Sequence, residues 1–419
     1  MKLDAIRAAE AKLLLTTYER NPILFVKGEG VHLIDEKGDR YLDLLSGIGV
    51  NALGYGHPAI EKAIAEQSKK LIHLSNLFFH EGQAELALRL TEASGMDRAF
   101  FSNSGTEAWE AALKLARAYA GMKRDEGKQL GTKFLAMELS FHGRTMGSVA
   151  TTHKEKYREP FAPVMPGVEF VCFNDVADLK AKFSSDYCAI LLEAVQGEGG
   201  IRPVSKEFIQ AARELTQSTG ALLIVDEIQA GLGRTGKWIA YQHYGIQPDV
   251  TTLAKPLAGG LPLGVMLCTE AAAQAIHPGM HGTTFGGGPL SCAVAIAVID
   301  TIQKEHLLDH INDVGSYFHN KLNQLKQKHT AIKEVRGLGL MQAVDLDSAE
   351  LAKTVLAEMM KKHILINRTS ETVLRFLPPY ILKKEHIDEA IDALDTIFTE
   401  HGPANVGAHA HTRGGTHIG

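Results

Sequence analysis

The chain has 419 residues, of which 45% are hydrophobic, and its 44 Lys and Arg residues stand against 49 Asp and Glu residues. This apolar content is enough for a sizeable core and excludes a globally disordered protein. The net charge of −5 removes the electrostatic basis for binding nucleic acid. The four cysteines form no C-x-x-C pair and no metal-ligand spacing, which favours a protein of the reducing cytoplasm.

The N-terminal part opens with a helical pattern over Asp4–Thr17 and continues into a hairpin-like run from Val31 to Leu44. Its apolar run Leu13–Leu15 is far too short for a secretory signal or a membrane span. We therefore expect no membrane association, and we assign residues 1–56 to an N-terminal segment outside the main sheet.

From His57 to Glu305, short apolar runs alternate with helical patterns. The runs are Ala99–Phe101, Phe134–Met137, Phe170–Phe173, Ala189–Glu193, Leu222–Asp226 and Thr251–Ala254. Strands that are apolar on both faces and separated by helices are typical of a largely parallel sheet. The run Gly264–Thr269 follows Lys255 too closely for a helical crossover, so it is predicted to be an antiparallel or an edge strand. Residues 57–305 are predicted to form the large domain.

The C-terminal part predicts a small α+β domain over residues 306–401. Helical patterns cover Leu307–Lys328, Glu350–His363 and Lys384–Glu400, and strand-like runs cover Leu338–Asp345 and Val373–Leu377. The tail, residues 402–419, is rich in Gly and His and has no apolar periodicity, so we expect it to be disordered. We expect no metal site from its histidines, His409, His411 and His417.

The segment Phe101–Glu107 joins a short apolar strand to a helix predicted over Glu107–Ala120. The free N–H groups and the positive dipole end of a helix N-terminus can bind a phosphate. The alternative is that Ser104 and Glu107 form an S-x-x-E capping box and have no ligand.

Two further residues end apolar strands. Asp226 follows the run Ala221–Val225 and would lie at the carboxyl edge of the sheet, where ligands bind in open α/β folds. Its alternative role is a helix N-cap or a structural ion pair. Lys255 ends the run Asp249–Ala254, and burial there would lower its pKa and suit it to Schiff-base chemistry. The alternative is a lysine whose head group reaches solvent.

A phosphate cradle, a carboxylate and an amine nucleophile are the groups that pyridoxal phosphate (PLP) requires from a protein. We therefore predict PLP as the cofactor and no metal. A competing motif, the literal G-x-G-x-x-G at Gly231–Gly236, is separated from the strand ending at Asp226 by four residues. Dinucleotide binding needs those glycines in the strand-to-helix turn itself, so this motif does not predict it.

At these residues the chain resembles the class III aminotransferases, the PLP enzymes of fold type I. The matching segments are SNSGTEA (102–108), FHGRT (141–145), QGEGG (196–200), VDEIQAGLGRTGK (225–237), LAKPLAGGLP (253–262) and HGTTFGG (281–287). Within the class the chain is most similar to the acetylornithine aminotransferases, through YLDLLSGIGVNALGYGHP (41–58) and INRTSETVLRFLPP (366–379). The resemblance implies an α/β fold, with a large domain whose mostly parallel sheet is flanked by helices. It also implies a small α+β domain built from the N- and C-terminal segments.

The resemblance also implies which residues bind the cofactor. Gly105 and Thr106 would bind the phosphate, Phe141 would stack on the pyridine ring, Asp226 would pair with the ring nitrogen, Gln229 would lie near the ring oxygen, and Lys255 would form the Schiff base. Thr284 would reach the phosphate bound by the partner subunit. A homodimer with shared active sites would then be the functional unit.

For the substrates, the resemblance implies that Arg144 clamps the carboxylate of the amino donor, where a planar guanidinium outperforms an ammonium group. The alternative is a surface arginine. Thr283 would lie near the substrate. Glu198 and Arg375 resemble a gate that lets one site accept two different substrates, although an ordinary interdomain salt bridge would leave the same sequence pattern.

The chain departs from the pattern of the class at three positions. Trp109 stands where Asn is usual, Ala194 where Pro is usual, and Gly288 where Asn is usual. Ile48 lies where enzymes that act on free ornithine carry a tyrosine. An apolar residue at that position favours a donor whose α-amino group is masked or absent.

The resemblance implies transfer of the distal amine of acetylornithine to 2-oxoglutarate in arginine biosynthesis. Alternative donors are 4-aminobutyrate, succinylornithine, ornithine or an amine of a lysine pathway. Two further alternatives are a catalytically silent PLP protein and a mutase of the same fold, which would not need Arg375. The presence of Lys255, Asp226 and Arg144 together argues against a silent protein.

Overall fold

The computed structural model describes residues 2–403. The predictions made for the histidine-bearing tail fall on residues 404–419 and lie outside this range, apart from its first two residues. The strands are β1 (Phe25–Glu29), β2 (His32–Asp35), β3 (Arg40–Asp43), β4 (Arg98–Ser102), β5 (Lys133–Met137), β6 (Val168–Val171), β7 (Tyr187–Glu193), β8 (Val195–Gln196), β9 (Arg202–Pro203), β10 (Leu222–Asp226), β11 (Val250–Leu253), β12 (Gly264–Cys268), β13 (Ile332–Leu338), β14 (Met341–Leu346), β15 (Ile364–Leu365), β16 (Asn367–Arg368) and β17 (Val373–Phe376).

The α-helices are α1 (Leu3–Leu13), α2 (Ser46–Gly49), α3 (Pro58–Ser68), α4 (Glu81–Ser94), α5 (Gly105–Asp125), α6 (Met146–Ala150), α7 (Glu155–Arg158), α8 (Val176–Lys182), α9 (Lys206–Thr219), α10 (Glu270–Ala273), α11 (Pro289–Lys304), α12 (Leu307–Lys328), α13 (Ala349–Lys361) and α14 (Lys384–His401). Two short 3₁₀ helices cover Glu159–Phe161 and Ala240–Tyr244. No helix within residues 2–403 is long and apolar enough to cross a membrane.

The central sheet has the strand order β4-β12-β11-β10-β7-β5-β6. Strands β11, β10, β7, β5 and β6 pair in parallel, and β12 pairs antiparallel with both β11 and β4. The predicted antiparallel direction of β12 is therefore confirmed, but the alternative of an edge strand is wrong, because β4 covers its outer side. Every residue of β7 and β10 is buried, which explains their continuous apolar sequences.

The N-terminal and C-terminal segments share a second sheet, of order β1-β2-β3-β15. Strand β3 pairs in parallel with β15, through Leu42 with Ile364 and Asp43 with Leu365. The small domain is thus built from both ends of the chain, as the fold class predicted. The limits at residues 56, 305 and 401 stay predictions.

A third sheet, of order β13-β14-β17-β16, completes the C-terminal part, where α12 packs on β13 and α14 packs on α12 and α13. Strand β13 was not predicted from the sequence, because the exposed Lys333 and Glu334 interrupt its apolar pattern.

Helix α1 ends at Leu13 and not at Thr17 as predicted. Leu13 and Leu15, at and just beyond this end, are 80% and 89% exposed.

Candidate active site

The carboxyl edge of the central sheet brings three ionisable side chains together. Asp226 is the last residue of β10, and Glu193, the last residue of β7, is its partner in register. Lys255 lies just beyond the end of β11, the parallel neighbour of β10 on the other side. A cavity of about 330 Å³ opens at this edge. Its lining includes the predicted residues Gly105, Thr106, Phe141, Glu198, Asp226, Gln229 and Lys255.

The turn from β4 into α5 forms one wall of the cavity. Ser104 Oγ accepts a hydrogen bond from the Glu107 amide at 3.3 Å, and the Glu107 carboxylate accepts from the Asn103 amide at 2.7 Å. The amides of Gly105 and Thr106 have no acceptor within residues 2–403. The capping interaction and two free N–H groups therefore coexist, and the latter can receive a phosphate.

Gly105 is required at this turn for a steric reason. A Cβ atom at position 105 would lie 2.8 Å from the Ile228 side chain, which also lines the cavity. A larger residue would push either the helix terminus or Ile228 out of place, and the helix N-terminus would no longer face the cavity.

Asp226 is 4% exposed and is surrounded by donors. Its Oδ2 lies 2.7 Å from Nδ1 of His142, and its Oδ1 accepts from the Ile228 amide at 3.0 Å and the Thr252 hydroxyl at 3.2 Å. These three donors compensate for the removal of the carboxylate from water. An anion held at this edge can pair with a protonated ring nitrogen.

Lys255 faces the cavity with an amine that has no hydrogen-bond acceptor in the described part of the chain. Burial lowers the pKa of Lys255 to about 8, and the negative charge of Glu198 opposes this shift. About a fifth of the amine is consequently neutral at a pH of about 7.4, far more than for an ordinary lysine, and the neutral amine is the form that attacks an aldehyde.

The predicted Glu198–Arg375 pair is formed. Arg375, on β17, is 1% exposed; its Nη1 lies 2.5 Å from Glu198 Oε1 and 3.1 Å from Gln229 Oε1, and its Nε donates to Asn367 at 3.0 Å. Burial alone would raise the pKa of Glu198, but the positive charges of Arg375 and then Lys255 lower it overall. Arg375 is therefore neutralised by a carboxylate that itself faces the cavity.

Arg144 does not line the cavity. Its side chain is exposed, and its guanidinium carbon lies 3.9 Å from the Tyr157 ring centroid and 5.7 Å from that of Phe141. Since Phe141 belongs to the cavity wall, Arg144 lies beside the rim with its planar face on aromatic rings.

Thr283 and Thr284 also lie outside the cavity that contains Lys255. Thr283 Oγ1 accepts from the Asn103 side-chain amide at 3.3 Å, whereas Thr284 is exposed. Both threonines line a separate surface cavity beside Asn103. Within one chain, therefore, Thr284 does not join the residues around Lys255.

Sequence reasoning missed Glu193. Its carboxylate accepts hydrogen bonds from the amides of Phe141 at 3.0 Å and Gly197 at 3.1 Å. Burial, and then the charge of Asp226, raises the pKa of Glu193 to about 8. The criterion that identified Asp226, an acidic residue ending a buried strand, applies equally to the run Ala189–Glu193 and would have found it.

His142 and Asn367 were also missed. His142 carries no signal in the sequence other than its place beside Phe141, and Asn367 lies in the short strand β16.

Among the departures from the class pattern, Gly288 is the N-cap of α11, a position that suits Gly nearly as well as Asn. The Ala194 carbonyl accepts from the Tyr244 hydroxyl at 3.1 Å.

The glycines of Gly231–Gly236 lie in turns that lead to a 3₁₀ helix. A Cβ atom on Gly236 would lie 2.0 Å from Asn312 of α12, so this glycine permits close packing between the loop and the helix. The segment has no helix N-terminus to receive a pyrophosphate, which agrees with the rejection of dinucleotide binding.

The donor set fits pyridoxal phosphate. Two unpaired amides at the N-terminus of a long helix, an anion in a hydrogen-bonded pocket and an amine with a lowered pKa all face one cavity. These are the groups that the cofactor's phosphate, ring nitrogen and aldehyde require.

Comparisons with known proteins agree with this chemistry. The family description "Aminotransferase class-III" matches residues 16–398. An acetylornithine aminotransferase from Methanocaldococcus jannaschii is 46% identical over 393 residues, which cover 93% of this chain and 97% of the relative.

Two solved structures share the fold. The acetylornithine aminotransferase from Elizabethkingia anophelis has a TM-score of 0.84 at 30% identity and covers 96% of this chain and 100% of its own. The ornithine aminotransferase from Toxoplasma gondii, crystallised with oxidised glutathione and showing partial occupancy of PLP at its active site, has a TM-score of 0.90 at 30% identity; 95% of this chain and 94% of that chain are covered. The chain therefore belongs to the class-III aminotransferases, which are enzymes that depend on pyridoxal phosphate.

Proposed function

We propose that this enzyme transfers the distal amine of acetylornithine to 2-oxoglutarate, producing glutamate, in arginine biosynthesis. The observation that carries the proposal is the Arg375–Glu198 ion pair beside the Lys255 amine. When the pair is closed, the guanidinium charge is neutralised, and when the pair is open, the cavity presents a free positive charge. One cavity can therefore accept two different substrates. The 46% identity to an acetylornithine aminotransferase supports the choice of donor.

Each residue of the cavity has its own part of the cofactor to bind. When bound, PLP supplies the electron sink that stabilises negative charge on the substrate carbon. The amides of Gly105 and Thr106 would bind its phosphate, Phe141 would cover one face of its ring, and Asp226 would hold the proton on the ring nitrogen. Gln229, which accepts a hydrogen bond from Arg375, would lie near the ring oxygen.

Lys255 has two tasks. Its neutral amine would hold the cofactor's aldehyde, and the same amine would act as the general base that moves a proton at the substrate carbon. The lowered pKa of about 8 suits both tasks, because a general base works best when its pKa lies near the operating pH.

The gate adapts the cavity to each substrate in turn. While Glu198 pairs with Arg375, the guanidinium charge is neutralised, and a donor can present its distal amine. When Glu198 moves away, Arg375 is free to form a bidentate interaction with a carboxylate of glutamate or 2-oxoglutarate. Asn367 keeps Nε of Arg375 anchored, so that the arginine retains its position in both states.

Donor recognition lies at the rim. Arg144, beside Phe141, binds the donor's carboxylate, and Thr283, which accepts a hydrogen bond from Asn103, lies near the substrate. Ile48 contributes an apolar surface near the α-amino group, which favours the acetylated donor. It is 37% exposed and has a left-handed φ of 65°, a conformation that β-branched residues rarely adopt.

We further propose a homodimer in the cytoplasm. Thr284 is exposed, and next to it a surface cavity is lined by Leu77, Phe78 and Phe79, which are 87%, 66% and 104% exposed. An apolar patch of this kind favours a protein interface, and a second copy of the chain would bring Thr284 to the partner's phosphate. The four free cysteines support a reducing compartment.

The test is a two-substrate screen of the purified PLP-loaded enzyme. Glutamate formation from 2-oxoglutarate is followed with acetylornithine, succinylornithine, ornithine and 4-aminobutyrate as donors. The proposal expects the highest kcat/KM with acetylornithine. A preference for ornithine or 4-aminobutyrate would overturn the choice of donor, and transfer without any need for 2-oxoglutarate would favour a mutase.

A further inference from the structure

A buried pair of aromatic rings lies behind Asp226. The rings of Trp109 and His142 stack with centroids 3.9 Å apart and planes 8° from parallel. Neither side chain is accessible to solvent. At the edge of the His142 ring, Nδ1 lies 2.7 Å from Asp226 Oδ2. The indole is thus one residue removed from the carboxylate that faces the cavity.

The His142 imidazole has a single hydrogen-bond anchor. Its Nε2 is buried and has no partner within residues 2–403. An ionised carboxylate only accepts, so the proton of the Asp226 contact belongs to Nδ1. A 180° turn of the ring about its Cβ–Cγ bond would put a carbon where Nδ1 now lies and would leave Asp226 Oδ2 without its donor. A second hydrogen bond, the usual device that holds such a ring, is missing here.

The indole replaces that missing anchor. A ring turn would sweep the edge of the imidazole through the space that Trp109 fills, and the stack therefore blocks it. Trp109 is itself held, because its Nε1 donates to Thr151 Oγ1 at 2.9 Å. The next residue, Thr152, accepts from the His142 backbone amide at 3.0 Å. Two adjacent threonines after α6 thus fix the positions of both stacked rings.

We propose that Trp109 is a positioning residue for Asp226: by stacking on His142 it keeps Nδ1 directed at the carboxylate and so keeps that carboxylate aimed into the cofactor cavity. The inference rests on the proposed role of Asp226. It assigns a function to a residue at which this chain departs from the class pattern, and it predicts that a flat ring at position 109 matters more than its volume.

Three variants separate these features. Trp109→Phe keeps a flat ring and loses the indole N–H, Trp109→Leu fills space without a flat ring, and Thr151→Val removes only the acceptor of the indole. Trp109→Met, which is also flexible and not flat, takes the place of Trp109→Leu if the latter does not fold. Thermal unfolding of each apo-protein measures the packing cost by itself.

The first readout requires neither cofactor nor turnover. In apo-protein labelled with ¹⁵N-histidine, the proton shared between His142 Nδ1 and Asp226 should give a strongly downfield resonance, identified by its loss in Asp226→Asn. We expect the resonance to persist in Trp109→Phe and Thr151→Val, and to broaden or vanish in Trp109→Leu. Its persistence in Trp109→Leu would overturn the proposal.

The second readout is the dissociation constant of PLP, with the kinetic constants of the holoenzyme. Trp109→Leu should weaken PLP binding and lower kcat by roughly tenfold each, the size expected for a lost aromatic contact, with KM for the donor little changed. Trp109→Phe should restore both values to within about threefold. Equal losses in the Phe and Leu variants would show that Trp109 acts only through its volume.

Failure of the proposed role of Asp226 has a different signature. If Asp226→Asn left PLP affinity and kcat unchanged, Asp226 would not be the partner of the ring nitrogen. The resonance in the apo-protein would still report whether Trp109 holds the His142–Asp226 contact.

Discussion

Two parts of the cavity are built in different ways. At the sheet edge, Asp226, Glu193 and Lys255 lie on or just after adjacent parallel strands, and backbone hydrogen bonds between those strands fix their spacing. At the gate, Glu198 follows β8 and Arg375 lies on β17 of another sheet, and side-chain contacts alone join them.

The difference indicates which groups can move during the reaction. Shifting the backbone of Asp226 relative to that of Lys255 would require strands to slip, whereas Glu198 can leave Arg375 by rotation of its own side chain. The residues at the sheet edge keep their positions and therefore suit the proton transfer that both substrates share. The Glu198–Arg375 pair can open and close, and therefore suits discrimination between the two substrates.

The strongest test of the sheet edge is Lys255→Ala. Removing the amine deletes both the attachment of the cofactor and the proton carrier, so we expect kcat to fall by a factor on the order of 10⁴ or more. In the wild type, borohydride treatment followed by peptide mass spectrometry should place the cofactor on Lys255. Lys123→Ala, which removes a surface lysine paired with Glu126, serves as the control. A cofactor adduct on any lysine other than Lys255 would refute the assignment.

Asp226→Asn keeps the shape of the side chain and removes its charge. The ring nitrogen then loses the anion that keeps it protonated, and we expect kcat to fall by roughly 10² to 10³ while PLP still binds weakly. Asp249→Asn is a matched control, because Asp249 is also largely buried and pairs with Arg213 away from the cavity. If both variants lost activity only in proportion to their stability, Asp226 would be structural.

The lowered pKa of Lys255 predicts the pH dependence of cofactor capture by the apo-enzyme. Because the neutral amine reacts, the rate should rise about tenfold per unit from pH 6 and level off above about pH 8. Stopped-flow absorbance would measure it. The charge of Glu198 raises the pKa of Lys255, so Glu198→Gln should move the midpoint to lower pH. A rate that kept rising to pH 10 would indicate a lysine with an ordinary pKa.

Glu198→Ala tests the gate separately from the sheet edge. With Arg375 permanently unpaired, α-carboxylates bind better and the donor's distal amine is repelled, so the ratio of glutamate to acetylornithine half-reaction rates should rise by roughly tenfold or more. Stopped-flow half-reactions on each substrate would show it. Glu334→Ala, which removes one of the two carboxylate partners of Arg336 outside the cavity, should leave the ratio unchanged. An unchanged ratio in Glu198→Ala as well would mean that the pair is merely structural.

Arg144→Lys should have the smallest effect. The ammonium group keeps the charge but loses the planar fork, and we expect KM for the donor to rise roughly fivefold, about 1 kcal/mol, with cofactor spectra unaltered. Arg158→Lys provides the comparison, since Arg158 also lies over an aromatic ring, that of Phe170, without a predicted substrate role. Identical kinetics in wild type and Arg144→Lys would favour a surface arginine.

The two parts of the cavity also differ in how far the sequence predicts them. Asp226 and Lys255 end runs of apolar residues, and parallel strands place such ends at one edge, so their proximity follows from the pattern alone. The contact between Glu198 and Arg375 joins positions 177 residues apart on different sheets, and only resemblance to a family suggested it. The stack of Trp109 on His142 joins a helix to a loop, and neither periodicity nor spacing encodes such a packing geometry.

The reversed strand β12 has a consequence for how the protein folds. Because β12 runs against its neighbours, Gly264 at its start pairs with Ser102 at the end of β4, next to the turn that we propose binds the phosphate. A wall of the cofactor cavity is thus closed by segments that are far apart in the chain, a contact with a high loop-closure cost. During synthesis, β12 must leave the ribosome before it can pair with β4 and enclose that turn. We therefore expect PLP to be captured late, by a nearly completed large domain, and not by an early folding intermediate.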